Sequence, residues 1–123
     1  MKIVSTNNAP GAIGPYSQAV IAGGIVYTSG QIAIDPATGN MVEGGVKEQT
    51  EQVCKNVKAL LEASGTSIEK VVKTTCFLAD MADFAVFNEI YAGYFTGKPA
   101  RSCVAAKTLP KGALVEVDTV CLL

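Results

Sequence analysis

The segment Pro99-Ala100-Arg101-Ser102-Cys103-Val104 sets the only arginine of the chain two residues before a cysteine. In an extended strand, side chains two apart point the same way, so Arg101 and Cys103 share a face. A guanidinium stays charged at any working pH and grips a carboxylate through two parallel hydrogen bonds, which makes Arg101 a candidate anion clamp. The plainer alternative is a surface arginine in an ordinary ion pair. Glu116 interrupts the apolar run Leu114-Val115-Glu116-Val117-Asp118-Thr119-Val120 and shares a face with Asp118. Alternation alone makes Glu116 the wet side of a half-buried strand. If the segment around Leu109-Pro110-Lys111-Gly112 closes a symmetric hairpin, however, Glu116 stands opposite Cys103 and beside Arg101, a base next to a clamp.

The sequence contains no histidine and no tryptophan. The commonest general base and transition-metal ligand are therefore missing, and proton transfer falls to Glu, Asp, Cys, Tyr or Lys. A cation beside Cys103 favours its thiolate, but no histidine is present to activate it as a nucleophile. The four cysteines, Cys54, Cys76, Cys103 and Cys121, form no C-x-x-C. Neither a thiolate zinc site nor a dithiol redox motif is legible, so no metal and no cofactor is expected, and free thiols fit a reducing cytoplasm. Tyr16 follows Ile13-Gly14-Pro15, a stiff turn that fixes where its ring points. Ser29 and Gly30 end a strand with a hydroxyl and free backbone amides, and Asn88 is polar among Phe84, Phe87 and Tyr91. Taken singly, each of these reads as structural as readily as ligand-binding.

The elements that must position these residues follow from periodicity. Residues 18–22 and 25–29 are apolar runs around Gly23-Gly24 and read as a hairpin. Gln31-Ile32-Ala33-Ile34 is strand-like and stops at the turn Asp35-Pro36-Ala37-Thr38-Gly39-Asn40. Val46, Thr50, Val53, Val57, Leu60, Leu61 and Ser64 recur at steps of three and four, one face of a helix that Gly65 ends. Val71 to Leu78 is a strand with faces Val71, Lys73, Thr75, Phe77 and Val72, Thr74, Cys76, Leu78. A second helix lines up Phe84, Phe87, Tyr91 and Tyr94, favoured at its start by Asp80 and Asp83 and ended by Gly97 and Pro99. Strands near Arg101 to Ala106 and Leu114 to Leu122 complete a single α+β domain spanning residues 1–123, a mostly antiparallel sheet with two helices on one face. The uncovered face predicts a homo-oligomer.

Ten basic and eleven acidic residues leave a formal charge of −1 and are scattered, so no nucleic-acid or anionic-membrane footprint is visible. No apolar stretch approaches the roughly 20 residues of a membrane helix, and the first residues lack the apolar core of a signal peptide. The expectation is a cytoplasmic, soluble protein.

Ala-Ile-Gly-Pro-Tyr-Ser-Gln at 12–18, Thr-Ser-Gly-Gln at 28–31, Val-Lys-Thr-Thr at 72–75 and Pro-Ala-Arg-Ser-Cys-Val at 99–104 together resemble the RidA/YjgF family over nearly the whole chain. The resemblance implies a chorismate-mutase-like fold, a homotrimer with clefts between subunits, and cofactor-free hydrolysis of 2-aminoacrylate, 2-aminocrotonate and their imino tautomers to 2-keto acids and ammonia. By position it makes Arg101 the carboxylate binder, Glu116 the water-activating base, Cys103 the site cysteine, and Tyr16, Ser29, Gly30 and Asn88 substrate contacts. The link Thr96-Gly97-Lys98-Pro99-Ala100 ahead of Arg101 is shorter than the family pattern, which bears on substrate preference. Two competing readings are a non-catalytic module binding a small carboxylate, which would keep Arg101 and have no need of Glu116, and the ribonuclease or translation-inhibitor role given to some relatives. A single arginine, an acidic balance and the absence of histidine oppose the latter.

Overall fold

Gly23 and Gly24 hold φ of 60° and 76°, the signature of a two-residue primed turn, and join β2 (Ala19–Ala22) to β3 (Ile25–Thr28) as the anticipated hairpin. The computed structural model describes residues 1–123. β1 (Lys2–Val4), which periodicity did not single out, adds antiparallel to β2 at the sheet edge. After α1 (Val46–Ala63) the chain enters β4 (Val71–Leu78), crosses over through α2 (Phe84–Tyr94), returns as β5 (Ala100–Ala105) and ends in β6 (Val115–Leu122). The sheet order is β1-β2-β3-β6-β4-β5, antiparallel throughout except for the β4–β5 pair.

β5 and β6 do not form the expected hairpin, because β4 lies between them. Helix α2 is the crossover that lets β5 pair parallel to β4, and a parallel pair requires such a connection. The chain then passes over the end of β4, held by Ala106 N–H to Leu78 O (2.9 Å) and Ala79 N–H to Leu114 O (3.0 Å), through a 3-10 turn at Pro110–Gly112. It enters on the far side of β4, where β6 finds antiparallel partners on both flanks. Gln31 to Ile34 is not a strand either. Its ladder pairing is limited to isolated bridges, and the carbonyls of Ile32 and Ile34 accept hydrogen bonds from Asn56 Nδ2 (3.1 and 2.9 Å) in place of a neighbouring strand. In β4 an irregularity between Val71 and Lys73 moves Val71 into the core with Thr74, Cys76 and Leu78 and leaves Val72 exposed, which splits the expected alternation.

The helices cover one face. Val53, Val57, Leu60 and Leu61 of α1 and Phe87 of α2 share a fully buried core with Cys76, Leu78, Val115 and Val117. Ser64 caps α1 and Gly65 follows at φ 91°, while Asp80 accepts from Ala82 N–H (2.8 Å) just ahead of α2. The opposite face has no helix. Register places Ile3, Val20, Tyr27 and Val120 in one row across it and Phe77 beside Val104. Tyr27, Leu122 and Val104 are 45%, 48% and 51% exposed.

Candidate active site

β3 stops at Thr28, and pairing to β6 resumes one residue out of step at Gln31–Val117. The extra residue falls at Ser29-Gly30, a bulge of the kind that re-aims chains beside binding sites. There Gly30 sits against the Glu116 carboxyl group. A Cβ on residue 30 would stand 2.5 Å from Glu116 Oε2 and 2.8 Å from Cδ, so the close approach requires glycine. Ser29 is tied to the preceding loop, its hydroxyl donating to Ser17 O (2.6 Å) and its N–H to Gln18 O (2.9 Å). Tyr16 accepts from Ile13 N–H (3.3 Å) and presents a half-exposed ring. These residues line a cleft of about 450 Å³ together with Gln31 and Lys111.

Gln18 is a further member that residue-by-residue reading did not assign. Its buried amide accepts from Thr6 N–H (2.8 Å) and donates to the carbonyls of Thr6, Ala9 and Pro10 (3.0, 3.3 and 2.8 Å), fixing the loop that carries Tyr16. The available signal was an amide at the start of an apolar strand, where a buried polar group must be fully hydrogen-bonded. Burial, and secondarily the neighbouring Asp118, push the Glu116 carboxyl above the usual carboxylate range. Asp118 is raised too, again by burial, partly offset by the Thr75 hydroxyl and Lys73. A carboxylate shifted toward neutrality is a better general base near the working pH of a cell.

Arg101 occupies a second cleft of about 630 Å³, with Asn88, Tyr91, Phe95, Thr96 and Lys98. Its Nη1 donates to Asn88 Oδ1 (2.7 Å), and its guanidinium carbon lies 4.8 Å from the Tyr91 ring centroid and 5.4 Å from that of Phe84. Asn88, expected as a substrate contact, is thus the hydrogen-bond partner of Arg101. Cys103 shares the face of Arg101, but burial raises its thiol more than the Arg101 charge lowers it. The more deeply buried Cys54 and Cys76 are pushed up to about 12, chiefly by burial.

The structure thus gathers Tyr16, Ser29, Gly30 and Glu116 in one place and Arg101 with Asn88 in another. The expected placement of Glu116 opposite Cys103 and beside Arg101 within one chain does not occur. Arg101 and Cys103 register with Thr74 and Cys76, on the helix side, whereas Glu116 registers with Phe77 on the open side. β5 and β6 are not neighbours, so no hairpin register relates them. No group of three His, Cys, Asp or Glu side chains converges as a metal site, and no helix is long and apolar enough to cross a membrane.

The family model described as Endoribonuclease L-PSP matches residues 6–123. Among curated proteins, a RutC family protein of Pyrococcus horikoshii is 51% identical over 97% of this chain and 95% of its own length. The 2-iminobutanoate/2-iminopropanoate deaminase of Homo sapiens is 48% identical over 98% of this chain and 89% of its own. Among solved structures, a Rid family protein from Yersinia pestis superposes with a TM-score of 0.96 at 49% identity, covering 99% of this chain and 98% of that one.

Proposed function

The chain belongs to the Endoribonuclease L-PSP family, the RidA/YjgF proteins, and from that premise we propose that it is a cytoplasmic hydrolase converting 2-imino acids, with their enamine tautomers, to 2-keto acids and ammonia. The observation that carries this reading is the half-buried Glu116 carboxyl, raised toward neutrality and held against Gly30 in a small cleft. Glu116 takes a proton from water as its oxygen attacks the imine carbon. Glu116 passes that proton to the nitrogen, the adduct's hydroxyl proton follows it there as the C–N bond breaks, and ammonia leaves as the carbonyl forms. Arg101 holds the substrate carboxylate, and these steps draw on no metal and no covalent intermediate.

A substrate this small cannot reach both faces of one sheet. The pairing of Arg101 with Glu116 is therefore assigned across subunits, in a homotrimer of chorismate-mutase-like form that also covers the apolar open face. Tyr16, Ser29, Gly30 and Asn88 surround the substrate, and Cys103 borders it. The ribonuclease reading takes support from the family description. It is opposed by one arginine, no histidine and a charge of −1.

The test generates 2-aminoacrylate in situ with a dehydratase and follows keto-acid release. Wild-type protein accelerates it, and Arg101→Ala and Glu116→Gln each abolish most of the gain. Trimers reassembled from an equal mixture of the two variants regain roughly a quarter of the activity, because that share of random interfaces carries both native residues. No acceleration by the wild type sinks the deaminase. A mixture as inactive as its parents sinks the shared site.

A further inference from the structure

Arg101 is held by more than its hydrogen bond to Asn88: the Phe84 ring lies 5.4 Å away, and the nearer aromatic support is one tyrosine. The Tyr91 ring lies under the guanidinium at 4.8 Å. Its hydroxyl is hydrogen-bonded to that of Thr74 (2.7 Å), and Thr74 is the β4 residue directly beside Arg101 in the sheet. Phe95 stacks on Tyr91, with centroids 4.4 Å apart and planes 22° from parallel, and Phe87 packs against it at 5.4 Å and 39°. The ring is therefore fixed at its hydroxyl end by the strand and on its flanks by the helix and its C-terminus. Tyr91 is 8% exposed and Thr74 is fully buried.

We propose that Tyr91, latched to Thr74, is a positioning residue that acts through Arg101 to orient the carboxylate clamp; the inference rests on the reading of Arg101 given above. A guanidinium offers five N–H donors in one plane. The two nearest supports define that plane here. The ring fixes its tilt and Asn88 fixes its rotation by engaging Nη1, which leaves the other N–H groups to meet a planar carboxylate. Without the ring, the guanidinium keeps its charge and loses its orientation, so two-bond recognition weakens while proton transfer at Glu116 is untouched.

Tyr91→Leu removes the platform. A paired Tyr91→Phe with Thr74→Val keeps ring and volume but removes the latch, and it serves where the leucine variant does not fold. The expected result for Tyr91→Leu is a rise in both KM and the Kd for 2-ketobutyrate of roughly tenfold, with kcat at saturation near the wild-type value. The latch variant shows the same pattern with a smaller rise. In an Arg101→Ala background neither change weakens 2-ketobutyrate further, because the platform has nothing left to orient. A loss of equal size in both backgrounds, or a fall in kcat with KM unchanged, overturns the inference alone. Normal 2-ketobutyrate binding by Arg101→Ala itself overturns the clamp, and the inference with it.

Discussion

The two clefts are built by opposite means. Around Glu116 the backbone does the shaping. A bulge brings Gly30 against a carboxyl group, Ser29 and Gln18 tie the loops together, and the acid is raised by burial and a second carboxylate. Around Arg101 side chains do it, two aromatic faces and one amide oxygen enclosing the guanidinium. A base needs an adjustable pKa, and burial supplies that; a clamp needs a charge held in fixed geometry, and aromatic rings supply the geometry.

If that division of labour holds, damage to the clefts should produce different failures. The broadest is expected at the clamp, which fails in binding and in turnover alike. Arg101→Ala leaves the substrate carboxylate unpaired, on the order of 2 to 5 kcal/mol, so kcat/KM falls roughly thirtyfold or more and 2-ketobutyrate binding, read by calorimetry, weakens with it. Arg101→Lys is also damaging, since an ammonium lacks the planar grip. Glu116→Gln keeps the size of the side chain and removes its basicity, so turnover falls by roughly 10² or more while 2-ketobutyrate still binds. A glutamine variant that turns over normally would reduce Glu116 to the wet face of a strand and erase the contrast between the clefts.

Much of this was legible where a residue type has one physical use. Gly23-Gly24 could only be a tight turn, and the three-and-four spacing from Val46 to Ser64 could only be a buried helical face. What alternation could not supply was strand adjacency. Arg101 and Glu116 stood out one at a time as candidates, but their relation depends on β4 lying between β5 and β6, and nothing local to residues 99–122 encodes that. The bulges at Val71–Lys73 and Ser29-Gly30 were invisible for a similar reason, since a bulge is a mismatch between two strands and belongs to neither sequence alone.

Acidity gives a smaller, graded effect. The base works when ionised, so activity is lost as pH falls through the raised pKa of Glu116, and the acidic limb of the kcat profile lies above the usual carboxylate range. Asp118→Asn removes the lesser cause and leaves burial, so the limb moves to lower pH without reaching the ordinary value. The linked stability has a definite sign. Both carboxyls are raised in the folded state, so the native protein binds more protons than the unfolded chain between the ordinary and raised pKa values. Their contribution to stability therefore declines as pH rises through that window. Asp118→Asn should relieve part of this decline, and a lower melting temperature at neutral pH than at mildly acidic pH in the wild type, with a smaller gap in the variant, is the measurement. An unmoved limb would mean that Asp118 does not act on Glu116.

The smallest effect is expected at Cys103, although it shares a strand face with Arg101. A catalytic thiol needs a thiolate, and the two influences on Cys103 oppose each other: Arg101 favours the charged form and burial disfavours it more strongly. The sequence holds no histidine that could act as its base, and Glu116 lies on the other face of the same sheet. What remains for Cys103 is packing, since it is half-buried against the core beside Cys76, its registered neighbour. Cys103→Ala removes only a sulfur from that position, so kcat/KM should stay within roughly threefold of the wild type, a change of well under 1 kcal/mol in barrier height. Iodoacetamide should likewise modify Cys103 slowly at neutral pH, and raising the pH should speed the reaction. A loss approaching that of Glu116→Gln, with rapid alkylation at neutral pH, would place a nucleophile on the clamp side and overturn the assignment of all the proton chemistry to the other cleft.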